Sequence, residues 1–279
     1  MKKIAFLSML LLPFLSSKAQ MNMSCCMPTT ATEKYALNLN DKNFVSAHAE
    51  PLPYTYTGAG ADISYKAADG TDAHAWEIKA AKPTPYYIFV IHEWWGLNDY
   101  IKKQSEQLAN DLGVNVIALD LYDKQVASTR EDATKYMQSV KTERAMAIIK
   151  GAYNYVGSSA KVFTIGWCFG GGWSLQTSIE GGKQAVGCMM YYGQPEKDVN
   201  RLKTINCDIV GLFGNLDQWP SPAVVDQFVK DAAAAGVKLS VNRYEANHAF
   251  ANPSNPNHNQ AATDDAYAKV LAFVKARMN

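Results

Sequence analysis

Downstream of its first residues the sequence has no apolar run approaching the ~20 residues that span a bilayer, which excludes an internal membrane helix. It also lacks charge of one sign. Lys and Arg number 27 against 26 Asp and Glu, a formal net charge of +1, so the electrostatic footprint of a nucleic-acid binder is missing. Cysteine is sparse: Cys25, Cys26, Cys168, Cys188 and Cys207 are too few for a disulfide scaffold in 279 residues. Their odd number leaves at least one thiol free or paired between chains. Arginine is scarcer than lysine, with only Arg130, Arg144, Arg201, Arg243 and Arg277. No internal repeat and no second domain are visible. What is present, 48% hydrophobic, 11% aromatic and 19% charged residues, is an ordinary globular composition that fits one large α/β domain.

The chain opens MKKIAFLSMLLLPFLSSKAQ. Lys2 and Lys3 precede the short apolar core Ile4–Leu15, and Ser17-Lys18-Ala19 offers a small-x-small cleavage site. Residues 1–19 therefore read as a secretory signal peptide, with a buried N-terminal helix as the alternative. Export places the mature chain in the periplasm or outside the cell, where disulfides are permitted. Residues 20–52 read as a poorly ordered or wrapping arm, and 53–279 as the folded domain. The arm holds MNMSCCM, which could bind a soft metal such as Cu(I). A plain linker is the preferred reading, because no further ligands follow at useful spacing.

A β-hairpin is expected over ADISYKA and DAHAWEIKA, with Asp69-Gly70 at the turn. From Tyr86 a rhythm begins. The runs YYIFVIHE, VNVIALDLY, AKVFTIGWC, AVGCMMYYG, CDIVGLFGNLD and KLSVNRYEA are short, rich in β-branched or aromatic residues, and bounded by Gly, Asn and Asp, as buried strands are. Helical patterns separate them. One follows Asn98, buries Ile101, Leu108 and Leu112 on one face, and stops at Gly113. Ser128 with Glu131 suggests a capping box. Met146, Ile149, Tyr153 and Val156 form a stripe, Ser221-Pro222 opens another helix, and Thr263 is a candidate cap for the last. This alternation predicts a mostly parallel sheet with helices on both faces, in which ligands bind beyond the carboxyl ends of the strands.

The strongest chemical signal is Gly166-Trp167-Cys168-Phe169-Gly170-Gly171-Gly172, between the strand KVFTI and the helix WSLQTSIE. Strand–turn–helix with small residues two before and two after the centre is a nucleophile elbow, whose central side chain projects from a strained backbone. Here the centre is Cys168, where the helix N-terminus favours thiolate. A glycine-rich turn around a structural cysteine is the plainer alternative. A thiol nucleophile needs a base, and the base an orienting acid, in the chain order nucleophile, acid, His. After Cys168 only His248 and His258 remain. His248 follows a strand, whereas His258 sits in the polar loop NPSNPNHNQ. Asp217 closes CDIVGLFGNLD and is the candidate acid, with Asp208 and Asp226 as alternatives. Glu93, at the end of the first buried strand, lies where it could take or hold the thiol proton. The backbone N–H groups of Trp94 and Phe169 are candidate oxyanion donors.

Glu93 with Trp95-Gly96, Gly166-x-Cys168-x-Gly170-Gly171, Asp217 in GNLD and His248 in NHAF together resemble the dienelactone hydrolase family of the α/β-hydrolases. The match includes the spacings of 49 and 31 residues between Cys168, Asp217 and His248. The resemblance covers about residues 55–278. It implies a Cys168–His248–Asp217 triad that opens small esters or lactones through an acyl thioester, with Glu93 holding the thiol at rest until substrate releases it. The family's Arg shortly after the catalytic His is missing from His248-Ala249-Phe250-Ala251-Asn252-Pro253, which removes the obvious bidentate partner for a substrate carboxylate. Arg144 is the remaining candidate.

The segment between Tyr191 and Cys207 is too short for a large lid. Trp95, Tyr191 and Trp219, with Trp94, Trp167 and Tyr192, are candidates for an aromatic pocket wall. The expected partner is a small ester or lactone, with no cofactor, no metal and no nucleic acid, in a monomer or homodimer. The competing reading is a non-catalytic or redox-sensing binding protein on the same α/β-hydrolase fold. In it Cys168 is an oxidation sensor, or Cys188 and Cys207 form a disulfide; buried free thiols suit these two better.

Overall fold

The computed structural model describes residues 35–278. The signal peptide expected over 1–19 and the segment containing Cys25 and Cys26 fall outside the described residues. A 3-10 turn (Leu37–Asn40) and the short helix α1 (Lys42–Ala47) lead in, and Asp41 caps α1 by accepting from the Asn43 N–H. The hairpin follows as β1 (Ala61–Lys66) and β2 (Asp72–Ile78), with Gly70 supplying the positive φ of the turn. Then come β3 (Tyr86–Ile91), α2 (Asp99–Leu112), β4 (Asn115–Leu119), α3 (Arg130–Ser139), α4 (Thr142–Val156), β5 (Lys161–Trp167) and α5 (Phe169–Gly181). The rest is β6 (Ala185–Tyr191), α6 (Val199–Leu202), β7 (Ile209–Gly214), α7 (Pro222–Ala235), β8 (Leu239–Tyr244) and α8 (Gln260–Lys275).

The eight strands form one sheet in the order β1-β2-β4-β3-β5-β6-β7-β8. The hairpin is antiparallel and joins β4 antiparallel; β4 through β8 run parallel. Strand alternation sends neighbouring side chains to opposite faces. Along β6, Met189 and Tyr191 enter the apolar cluster that includes Val270 and Val274 of α8. Cys188 and Met190 enter a second cluster with Val225 and Phe228 of α7. Both faces are therefore covered. The chain passes from β3 leftward to β4 and then rightward to β5. This reversal opens a crevice at the carboxyl ends of β3 and β5, where a doubly wound sheet places its ligands.

Local details differ from the sequence patterns in three places. The cap of α3 is Thr129, which accepts from the Asp132 N–H, not Ser128 with Glu131. The cap of α8 is Asn259; Thr263 lies inside the helix and donates its hydroxyl to the carbonyls of Phe250 and Asn259. Ser128 lies next to the better-placed Thr129 and Thr263 one turn beyond Asn259, and geometry at the first turn decides between them. β8 is half-exposed, because it closes the sheet edge rather than lying inside it. The connection after β6 carries only the one-turn α6, so the short-lid expectation holds there. No described helix is long and apolar enough to cross a membrane.

Candidate active site

Cys168 sits between β5 and α5 with φ 58° and ψ −119°, a region costly for a side chain bearing a Cβ. Its neighbours make that turn possible. A Cβ on Gly166 would come within 2.1 Å of the Gly170 carbonyl oxygen, and one on Gly170 within 2.2 Å of the Ile91 carbonyl oxygen. The strand and helix backbones thus touch each other and β3 directly. Tyr192 and Ala249, on the loops after β6 and β8, also have positive φ, so strained backbone clusters around the sulfur. The Cys168 N–H donates to the Tyr191 carbonyl at 3.0 Å, and its carbonyl accepts from the Gly171 N–H at 3.0 Å.

The structure brings His248 and Asp217 to this turn. His248 Nδ1 donates to Asp217 Oδ2 at 2.8 Å, which leaves Nε2 facing the sulfur, and a ring nitrogen lies within 4.8 Å of Sγ. Asp217 is fixed in turn by the Trp219 N–H, 2.7 Å from Oδ1. All three side chains are at most 2% exposed. Burial alone would lower the His248 pKa. The charges of Asp217 and Cys168, with hydrogen bonds to both, overcome it and hold the imidazole well above its ordinary value. His258 lies away from the triad, in the lining of a cavity between α2 and α8.

Glu93 follows β3, as expected, and is buried. Tyr192 donates to its Oε1 at 3.5 Å and the Asn252 amide donates to its Oε2. Burial pushes its carboxyl up to about 7, against the opposing effects of His248, Asn252 and Tyr192. The carboxylate therefore rests on Asn252, four residues beyond His248, and not on the thiol as the resemblance implied. The bend that carries it is locked by His92, whose Nδ1 donates to the Glu93 carbonyl at 2.6 Å while Nε2 accepts from the Leu121 N–H at 3.1 Å. Arg144 is engaged elsewhere, by Asp123, Asp69 and Thr71.

Trp94 is the third residue after β3, next to Glu93, and Phe169 is the first residue of α5, next to Cys168. Of the aromatic wall candidates, Trp95 packs against Trp94 and is buried. Tyr191 stacks on Trp167, and both line the cavity of about 270 Å³ between α2 and α8 rather than the sulfur. Trp219 packs edge-on against Phe44 of α1.

That last contact belongs to the feature the sequence did not disclose. The segment read as a poorly ordered arm is packed from Tyr35 to His48, with Tyr35 and Phe44 fully buried and His48 2% exposed. The Tyr35 hydroxyl is 2.8 Å from Cys168 Sγ and 3.3 Å from His248 Nε2. His48 Nε2 is 3.4 Å from the same sulfur. The His48 Nδ1 donates to the Phe44 carbonyl at 2.7 Å, and the Arg130 guanidinium holds the His48 carbonyl at 2.8 Å. Burial, chiefly, lowers the His48 pKa to about 3, so its imidazole is neutral. Burial, then the charge of Cys168 and the hydrogen bond to it, raise Tyr35 well above the usual phenol range. The arm, not an insertion after β6, covers the thiol. Asp41 as a helix cap ahead of the apolar pair Phe44-Val45 was the available signal.

Cys168, Cys188 and Cys207 are all free thiols, so the Cys188–Cys207 disulfide does not form.

The model of the dienelactone hydrolase family matches residues 73–278. A carboxymethylenebutenolidase of Pseudomonas sp. (strain P51) is 27% identical over 202 residues, covering 67% of this chain and 83% of that protein. Carboxymethylenebutenolidase 1 of Cupriavidus pinatubonensis is 25% identical over 202 residues, 67% of this chain and 84% of its own length. Among solved structures, a dienelactone hydrolase-like promiscuous phosphotriesterase from metagenomic libraries superposes with TM-score 0.66 at 19% identity, covering 80% of this chain and 100% of that one. An esterase of Pyrococcus furiosus does so with TM-score 0.57 at 15% identity, over 83% and 100% of the two chains. The chain belongs to the dienelactone hydrolase family, and it is a hydrolase of the ester or lactone type.

Proposed function

We propose that this member of the dienelactone hydrolase family is an exported hydrolase of small, uncharged esters or lactones, with Cys168 as the nucleophile. The reading is carried by one observation: His248, braced by Asp217 through Nδ1, turns Nε2 toward a cysteine fixed in a strained elbow. In the reaction, His248 Nε2 holds the proton given up by Cys168 as the sulfur forms a bond to the carbonyl carbon. The Trp94 and Phe169 N–H groups stabilise the oxyanion, each such donor contributing roughly 3–4 kcal/mol. Collapse breaks the carbon–oxygen bond, and the His248 imidazolium passes its proton to the leaving alkoxide. His248 then takes a proton from water, the hydroxide attacks the thioester, and the carboxylic acid departs as the thiol is restored. The carbonyl carbon has to approach Sγ where the Tyr35 hydroxyl lies, so the arm swings aside before acylation. Uncharged substrates follow from the missing arginine after His248 and from Asn252 occupying Glu93. Export rests on the leader sequence alone.

Turnover of p-nitrophenyl acetate by wild type and Cys168→Ala tests the nucleophile; equal rates would exclude it. A panel of neutral and carboxylate-bearing esters tests the substrate class, with higher kcat/KM expected for the neutral ones. An unprocessed chain retained in the cytoplasm would overturn export.

A further inference from the structure

Two histidines, not one, face the sulfur. His248 Nδ1 is held by Asp217 at 2.8 Å and His48 Nδ1 by the Phe44 carbonyl at 2.7 Å. Both acceptors fix a hydrogen on Nδ1, so Nε2 is the atom each ring turns toward the sulfur, and a metal ion would displace any proton His248 carries there. His48 Nε2, Cys168 Sγ and a His248 nitrogen all lie within 4.8 Å of one another, and all three residues are buried. Hydrolysis needs only one base, and the second imidazole has no task in it. A metal-bound imidazole is typically oriented in this way, by a carboxylate or backbone carbonyl on its far nitrogen.

We propose that His48, Cys168 and His248 form a cation site for a borderline, thiophilic divalent ion of the Zn(II) class, one that locks the arm down over the thiol. One thiolate and two imidazoles suit such an ion, whereas Mg(II) and Ca(II) want oxygen. Tetrahedral Zn(II), with bonds of ~2.3 Å to sulfur and ~2.0–2.1 Å to nitrogen, sets S···N at about 3.6 Å. The His48 Nε2–Sγ separation of 3.4 Å already matches, and the remaining distances, all within 4.8 Å, need at most about 1.5 Å of closure. Binding displaces the one proton that Cys168 and His248 share, which passes to solvent, so the bound site gains one net positive charge from a divalent ion. The Tyr35 hydroxyl, 2.8 Å from Sγ, stands beside the fourth position. His48 comes from the arm and the other two ligands from the domain, so the ion cross-links cover and site. The hydrolase stops while the ion is bound and recovers when a chelator removes it.

The test uses the full protein with Cys25→Ser and Cys26→Ser, to silence the two thiols that lie outside the described residues. Calorimetry with Zn(II) should give one site. Co(II) should give a near-ultraviolet thiolate-to-cobalt band and visible bands of tetrahedral strength, both lost in Cys168→Ser. His48→Gln and His48→Ala, checked for folding by circular dichroism, should lose tenfold or more in Zn(II) affinity, and Zn(II) should protect Cys168 from iodoacetamide in the parent only. Should the His48 variants not fold, the proton NMR spectrum of the Co(II) form decides: two shifted, exchangeable imidazole N–H signals are expected. A single such signal, no thiolate band, or equal Zn(II) affinity with and without His48 overturns the site. These spectroscopic readouts do not depend on the hydrolase reading and fail separately from it.

Discussion

Cys168 is gripped from beneath by the β5–α5 turn and covered from above by residues 35–48, and the two regions hold their shape for different reasons. The turn is dictated by backbone contact: carbonyl oxygens stand where a Cβ on Gly166 or Gly170 would lie. The cover is held by a few side chains. Phe44 sits among Tyr35, Trp94 and Trp219, and the Arg130 guanidinium pins the His48 carbonyl. Burying a Phe or Tyr of this kind contributes roughly 1.5–3 kcal/mol, enough to seat a short segment and little enough for it to open. The sulfur is thus built on a part that cannot yield and shielded by a part that can.

Breaking the rigid half should have the largest effect. Asp217→Asn leaves the geometry but removes the acceptor charge that keeps the hydrogen on His248 Nδ1. A loss of about 10³–10⁴ in kcat is expected, with an unchanged thermal midpoint. Turnover within tenfold of wild type would mean that Asp217 does not orient the base.

Breaking the cover should come next. Phe44→Ala removes the ring that three aromatics pack against. An arm-opening equilibrium shifted by about 3 kcal/mol raises iodoacetamide labelling of Cys168 by about a hundredfold. Cys207, half-buried and with its thiol pushed up by burial, should stay slow in both proteins. Unchanged Cys168 labelling would show that the arm does not guard the sulfur.

Glu93 sharpens the contrast, because its burial is a cost carried by the rigid half. Its folded pKa, about 7, stands above the ordinary value of 4.5. Between those values the folded chain binds more protons than the unfolded one, so stability falls as pH rises through the window. Glu93→Gln has no charge to bury. Relative to wild type it should gain about 1–3 kcal/mol on going from pH 4.5 to pH 8, read as diverging thermal midpoints. Parallel curves would mean that Glu93 is comfortably charged. The smallest effect is expected from Arg130→Ala, which loses the 2.8 Å bond to the His48 carbonyl. About 1 kcal/mol, or roughly fivefold faster labelling of Cys168, should follow.

The same contrast explains what could be read from residues alone. Steric demands write themselves into sequence, so Gly166 and Gly170 announce the elbow and strand ends locate Asp217 and His248. The hairpin, the parallel strands and the face of α2 (Ile101, Leu108, Leu112) follow from period and punctuation. Helix starts differ from the pattern by one residue at Thr129 and by one turn at Asn259, because several polar residues near a helix start compete for one capping position. The arm was not legible, since six residues of weak amphipathy in α1 do not say what they pack against. Likewise no local pattern tells that Asn252, rather than the thiol, meets Glu93.

The contacts that cover the sulfur join residues 133 and 213 positions apart. The seat of Tyr35 is made jointly by the β5–α5 turn and by the loop bearing His248. Closing such a long span costs chain entropy that local contacts do not. The cover over the sulfur is therefore a strictly non-local contact, present only when both distant parts of the chain are in place.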